Sequence, residues 1–463
     1  MRSMVKLAMD RIVEHIRTLD QQPMHATRGG KKLARSLKKP MPERGRPFEK
    51  LIGQLFGRII PASLNTASPG YLAYIPGGGL FHAAVADLIS DAVNRYVGVF
   101  IAAPGLVAIE SNVIDWFCAM LGLPVGAGGV LTSGGSIANL IAVVTARREK
   151  LPEDFLRGVI YTSTEAHHSV RKAALIAGFP EGRVREVAVD ERFRMSLPSL
   201  ASAITEDRAR GLSPFLLVGS AGTTGTGAVD DLEALATLAR RESLWLHVDA
   251  AYGGFFALTA RGRAAMKGIE LADSVTLDPH KSLFLPYGTG CILVRDRASL
   301  RRAHAATASY MPRMQTEEDL IDFCDLSPEL SRDARGLRVW LPLSMHGARV
   351  FRDALDEKLD LAQLAASELR ALAHVEIVAE PQLSLVTFRI RPPGLDDAAL
   401  DAFNRRLLGL VNEKQRVLLT GVVLQSPAPR FVIRICVLSF RTHRDRIEVC
   451  LEDIRRSVRE LGD

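Results

Sequence analysis

The sequence predicts an α/β protein: a large domain built on a mostly parallel sheet, preceded by a helical segment and followed by a smaller α+β domain. Three observations carry this expectation. From about residue 83 to 300, helical patterns alternate with the short apolar runs "GVIYTST", "FLLVGSAG", "LWLHVDAA", "SVTLD" and "GCILVRD". Runs that are apolar on both faces suit strands covered on both sides by helices, such as "DDLEALATLARRE". Further on, "LSLVTFRIR", "DDAALDAFNRRLLGLVNEK", "RFVIRICVLSF" and "HRDRIEVCLEDIRRSVREL" alternate strand and helix again, and 463 residues exceed what one simple core holds. The expected units are 1–65, 66–340 and 341–463.

Taken in order, "DRIVEHIRTLD" places Ile12, Val13 and Ile16 on one face of an N-terminal helix. The Pro/Gly-rich "ASPGYLAYIPGGGLFH" then breaks regular structure. A long amphipathic helix is expected from near Leu337, with an interruption around Pro342, where a ring replaces a backbone donor. The sequence shows neither an internal repeat nor a low-complexity tract.

Composition is that of a globular chain, 47% hydrophobic and 24% charged, with a net charge of +7. Basic residues cluster in "RGGKKLARSLKKPMPERGRPFEK", but without interleaved aromatics or a zinc or helix-turn-helix signature. That run reads as a solvated arm, and nucleic acid is not an expected partner. Cys118, Cys291, Cys324, Cys436 and Cys450 lack CxxC spacing, which argues for reduced thiols and against a zinc site or disulfide framework. Asp10 and Glu14 interrupt the apolar pattern at the N-terminus, unlike a signal peptide. No uninterrupted apolar run approaches the roughly 20 residues that cross a bilayer. The expectation is a cytoplasmic protein without a membrane partner.

In a parallel α/β sheet, ligands sit beyond the carboxyl ends of the strands. Four motifs fall there. In "SVTLDPHKSLFLPYGTG" an apolar strand runs into Lys281, which either reaches back to solvent or is held in a pocket to form a Schiff base. "TSGGSIANLIAVVTARR" places Gly134, Gly135 and Ser136 before a helix with apolar residues at 137, 140, 141 and 144. Such a helix N-terminus suits a phosphate; the alternative is an ordinary Ser-capped helix. "YTSTEAHHSVRKAA" offers His167 and His168, whose adjacent side chains diverge and have no third ligand at metal spacing. A ring stacked on a flat cofactor is one role for such a histidine, and a surface position is the other. "LWLHVDAAYGG" ends a buried strand on Asp249, a costly position unless the carboxylate meets a cation. Lys281 follows 281 − 249 = 32 residues later, room for a crossover and a neighbouring strand.

Together these pieces answer one chemical specification. Pyridoxal phosphate requires a lysine for its aldehyde, an acid to keep its pyridine nitrogen protonated, a phosphate cradle and a flat surface against its ring.

Over nearly its whole length the chain resembles the group II pyridoxal-phosphate-dependent amino acid decarboxylases, which include aromatic-L-amino-acid, histidine and glutamate decarboxylases. The likeness rests on "RTLDQQPMH", "YLAYIPGGGLFHAAVADLI", "HVDAAYGG", "DPHK" and "RICVLSFRTHRD". It implies the fold type I architecture and a homodimer with shared active sites. By this resemblance Lys281 is the Schiff-base lysine, Asp249 pairs with the pyridinium, His167 stacks on the ring near the substrate carboxylate, and Ala251 packs on the opposite face. Gly134, Gly135, Ser136 and His280 lie in the phosphate cradle, and Thr224 sits near the ring edge. Asp278 stands where aromatic-specific members carry asparagine. Tyr310, 29 residues after Lys281 in "TASYMPRMQTEEDLIDF", matches the tyrosine on a loop that returns a proton after carbon dioxide leaves. Tyr74, Tyr96, Phe100 and Arg332 match substrate-site positions, Tyr96 and Phe100 coming from the partner subunit.

The implied reaction is decarboxylation of an L-amino acid, with an aromatic one favoured. Tyr310 favours it over aldehyde-forming oxidative deamination, which the family associates with phenylalanine at that position. Carbon–carbon lysis on the same fold is another alternative. A catalytically silent basic binding protein is the alternative from a different class.

Overall fold

The computed structural model describes residues 1–306, 317 and 320–462. Its larger sheet has seven strands: β1 (Gly128–Thr132), β2 (Gly158–Ser163), β3 (Val184–Val187), β4 (Ser213–Ser220), β5 (Trp245–Asp249), β6 (Ser274–Leu277) and β7 (Gly290–Val294), in the order β1-β7-β6-β5-β4-β2-β3. Five of the predicted runs are β2, β4, β5, β6 and β7. β2 pairs in parallel with β3 and β4, and β5 in parallel with β4 and β6. β7 is the exception, antiparallel to both β6 and β1. The connection through the Lys281 turn returns the chain directly beside β6, with no long crossover helix of the kind that usually joins parallel strands. Every residue of β1, β2, β5, β6 and β7 is buried, as the uniformly apolar runs required.

The second sheet is antiparallel, with β8 (Val375–Ala379), β9 (Leu385–Ile390), β10 (Thr420–Leu424) and β11 (Arg430–Cys436) in the order β10-β11-β9-β8. Helices Asp397–Glu413 and Arg444–Gly462 help close its core, where Phe388, Leu407, Ile433 and Ile447 meet. The helical segment Arg335–Arg370 joins the two cores. Its Val339, Phe351, Leu355 and Leu359 pack on the larger core, and its Leu361, Ala365 and Leu369 on the smaller. The change of core therefore falls near residue 360 rather than at the expected 340–341. The interruption also lies elsewhere than expected: Pro342 stays within the helix, and Gly347 breaks it with φ 72° and ψ 154°. Glycine adopts that backbone without the clash a Cβ would cause.

The N-terminal helix Arg2–Arg17 buries none of its residues against the rest of the chain, and Val13 is half exposed. Helix Pro104–Leu121 is long and apolar enough by composition to cross a membrane. In the fold its Val113, Ile114 and Phe117 are buried in the larger core, and its Glu110 pairs with Arg332.

Candidate active site

β1, β2, β4, β5 and β6 run the same way, so Thr132, Ser163, Ser220, Asp249 and Leu277 end on one edge of the sheet. There a cavity of about 360 Å³ opens. Gly134, Gly135, Ser136, His167, Thr224, Asp249, Ala251, His280 and Lys281 all line it, as do Asn139, Ser169 and Asp278. Five strand ends thus converge residues that lie up to 147 positions apart (281 − 134).

One end of the cavity is a helix N-terminus. Helix Gly135–Lys150 begins after Gly134, with no side-chain cap on its first turn, so the Ser-capped alternative does not hold. No hydrogen bond engages the N–H groups of Gly135 and Ser136 among the described residues, which leaves them free to bind an anion. A Cβ on Gly135 would stand 2.9 Å from Asp278 Oδ2 and 3.2 Å from the Ala251 Cβ, so only glycine keeps this cradle open. His280 borders it, with Nδ1 on the Thr289 carbonyl at 2.6 Å; burial holds its pKa below the usual histidine value.

Lys281 lies on the short helical turn Pro279–Ser282 that follows β6, and its side chain is 22% exposed, toward the cavity. Its Nζ meets Asp278 Oδ2 at 2.9 Å. Burial disfavours its charge, but the nearby carboxylates of Asp278 and Asp249 outweigh this and hold its pKa above the ordinary lysine value. Asp249 ends β5, where its Oδ1 accepts the Ala251 N–H at 3.1 Å and its Oδ2 accepts Asn139 Nδ2 at 2.9 Å. His167 borders the same cavity, its pKa lowered by burial against the opposing pull of Asp249.

Several expected site residues lie elsewhere. Arg332 is a correction: its side chain is fully buried, with Nη2 on Glu110 Oε1 at 2.7 Å and on the Leu131 carbonyl at 2.9 Å. An arginine engaged in this way braces β1, and it does not line this chain's own cavity around Lys281. Tyr74 lies outside the cavity lining, 57% exposed at φ 54° and stacked on Tyr71. Tyr96 donates its hydroxyl to the Leu330 carbonyl at 3.1 Å, and the Phe100 N–H bonds Asp322 Oδ1 at 2.7 Å; neither lines this chain's own cavity. Tyr310 falls outside the described residues. Of the glycines of "AYIPGGG", Gly77 serves packing, since a Cβ there would strike the His280 carbonyl. This close approach fastens that segment to the Lys281 turn.

Sequence reasoning missed Asn139, Ser169 and His247. Helix Gly135–Lys150 buries Ala138, Asn139, Ile141, Ala142, Thr145 and Ala146, while Ile137, Leu140 and Val144 are half-buried. The available signals were polar residues inside apolar patterns, Asn139 in "SIANLIAVV" and His247 in "LWLHVDAA". Such residues are costly to bury unless hydrogen-bonded.

An amine, a carboxylate, an imidazole and an anion cradle around one slot define a site for pyridoxal phosphate, and the residues present fit that group. The chain belongs to the pyridoxal-dependent decarboxylase family: residues 31–391 match that family's conserved domain. It is a pyridoxal-phosphate-dependent amino acid decarboxylase. It is 34% identical to an aromatic-L-amino-acid decarboxylase of Bacillus atrophaeus, over 100% of this chain and 96% of that one. It is 28% identical to a phenylacetaldehyde synthase of Petunia hybrida, over 97% of this chain and 92% of that one. Among solved structures, the Oryza sativa TDC with PLP and tryptamine superposes with a TM-score of 0.94 at 26% identity, covering 100% of this chain and 98% of that chain. The expected fold type I architecture is therefore the one observed.

Proposed function

We propose that the enzyme decarboxylates an aromatic L-amino acid to its amine, in the cytoplasm and as a homodimer. The observation that carries the substrate class is the full-length likeness to an aromatic-L-amino-acid decarboxylase, 34% identical over the whole chain.

Pyridoxal phosphate, when bound, supplies an aldehyde and an electron-withdrawing ring that takes up the electrons of the bond broken at Cα. In this reading the N–H groups of Gly135 and Ser136, with Gly134 and His280 beside them, bind the phosphate. Lys281 Nζ is the amine that meets the aldehyde. Asp249 holds a proton on the pyridine nitrogen, and Thr224 borders the ring edge. His167 and Ala251 clamp the two ring faces, with His167 beside the substrate carboxylate. The Tyr310 hydroxyl delivers the proton to Cα once carbon dioxide has left. Tyr74, with Tyr96 and Phe100 from a second copy, borders the substrate. The exposed apolar residues of the N-terminal helix, Met4, Val5 and Val13, support the dimer as surface that a partner would cover.

The experiment is carbon dioxide release by the cofactor-loaded protein across a panel of L-amino acids, with Lys281→Ala as the blank. Release that depends on Lys281 and is fastest with aromatic substrates is expected. Fastest release with an acidic or aliphatic amino acid would overturn the substrate class. The likeness to a phenylacetaldehyde synthase favours one second reading, oxidative deamination. Hydrogen peroxide and ammonia formed in step with carbon dioxide would establish that reading, and Tyr310→Phe is expected to move the enzyme toward it.

A further inference from the structure

Beneath the cavity runs a chain of hydrogen bonds whose direction is set at both ends. The Asp249 carboxylate only accepts, so the Asn139 atom 2.9 Å from its Oδ2 is the amide nitrogen. Asn139 Oδ1 therefore faces the other side, where Thr276 Oγ1 at 2.7 Å and His247 Nε2 at 3.1 Å must both donate to it. At the far end Trp245 Nε1, which only donates, bonds Ser274 Oγ at 2.8 Å. The Ser274 hydroxyl proton is then free for His247 Nδ1, also at 2.8 Å. His247 thus carries its proton on Nε2, where Asn139 Oδ1 needs it, and the two ends agree.

The chain continues toward the cavity. Asn139 Nδ2 also donates to Ser169 Oγ at 2.9 Å. The proton of that hydroxyl finds His167 Nδ1 at 2.7 Å, and the Ser169 backbone N–H points at the same ring nitrogen from 3.3 Å. Two donors converge on His167 Nδ1, which leaves no room for a proton of its own. Nε2 makes no hydrogen bond among the described residues, while the ring lines the cavity.

We propose that Asn139 and Ser169 are positioning residues that hold His167 as the neutral tautomer with its proton on Nε2, so that this nitrogen presents the substrate carboxylate with a donor and no lone pair. The role toward the carboxylate rests on the proposed decarboxylation; the tautomer assignment does not. On this arrangement Nε2 of His167 cannot accept a proton, so His167 binds and orients but is not a base at that atom. One asparagine also ties together the Asp249 carboxylate and, through Ser169, the His167 imidazole, the two groups that would face the ring nitrogen and the ring of the cofactor. Burial lowers the His167 pKa, which agrees with a neutral ring.

The test is the nitrogen NMR spectrum of protein labelled with ¹⁵N-histidine, cofactor-free and loaded, with His167 assigned by difference from His167→Asn. An unprotonated Nδ1 and a protonated Nε2 are expected in both forms. Ser169→Ala should shift the two signals toward a mixture of tautomers and lower kcat/KM roughly tenfold, the scale of one lost hydrogen bond. Ser169→Thr keeps the hydroxyl and should restore both readouts. A protonated Nδ1 in the wild-type protein would overturn the assignment, and so would Ser169→Ala leaving both signals and kcat/KM unmoved. If the tautomer is as expected but no amino acid is decarboxylated, the proposed function fails and the assignment stands.

Discussion

Lys281 Nζ and Asp278 Oδ2 lie 2.9 Å apart, on the turn that follows β6, and the same carboxylate oxygen faces Gly135 at the helix N-terminus across the cavity. Asp278 Oδ1 is buried with no hydrogen-bond partner among the described residues. A carboxylate here keeps Lys281 charged and places a negative group beside the phosphate site. Asp278→Asn removes both effects, because the amine deprotonates more readily and the anion meets a neutral neighbour. Titration of the cofactor-free protein with pyridoxal phosphate, followed by visible absorbance, is expected to show binding on the order of tenfold tighter, about 1.4 kcal/mol.

Gly135→Ala tests the cradle from the opposite direction. The added methyl group would stand 2.9 Å from Asp278 Oδ2 and 3.2 Å from the Ala251 Cβ, neither of which can withdraw without moving the site. Cofactor affinity is expected to fall at least tenfold, consistent with about 1–3 kcal/mol for overpacking. Far-ultraviolet circular dichroism should remain that of the parent protein.

Arg332 and Glu110 are buried at side-chain exposures of 0% and 1%. Removing one partner strands the other charge in the core. Arg332→Met is therefore expected to cost about 3–5 kcal/mol of stability, read from the denaturant midpoint. Its KM at low temperature should stay within a few-fold of the parent value, whereas a substrate-binding arginine would raise KM at equal stability.

His247 is buried and its pKa is held down at about 4, by burial against the pull of Asp249. Burial likewise holds His304 at about 4. An unfolded histidine takes a proton near pH 6.5, so between pH 6.5 and pH 4 the unfolded chain binds more protons than the folded one. Stability from these two groups is complete above pH 6.5 and is lost as pH falls toward 4. Asp230 opposes them: burial raises its pKa to about 6, so its contribution declines as pH rises from about 4 to 6. Gln at position 247 can still donate to Asn139 but cannot be protonated. Urea midpoints from pH 7 to pH 4 are expected to fall steeply for the parent protein and less for His247→Gln, the difference being on the order of 1–3 kcal/mol.

Much of the fold and site was legible in local sequence. β2, β4, β5, β6 and β7 were readable because strands buried on both faces must be apolar throughout. Lys281, Asp249, His167 and the Gly134–Gly135 turn stood out because each is chemically expensive or conformationally special at a strand end. Local sequence did not report partners. It could not reveal that β7 returns antiparallel, that Gly347 rather than Pro342 breaks the long helix, or that Arg332 turns inward to Glu110.

By itself, then, the sequence determined the α/β class, the large parallel sheet and the group of residues that suits pyridoxal phosphate. Burial cost and backbone sterics act residue by residue and leave their mark in the order of amino acids. The tertiary structure alone decided which polar groups meet: Asn139 with Asp249, Ser169 with His167, and Asp278 with Lys281. Hydrogen bonds and ion pairs act over about 3 Å, and residues 110 positions apart in the chain, such as Asn139 and Asp249, come within that distance only when the strands and helices that carry them have packed.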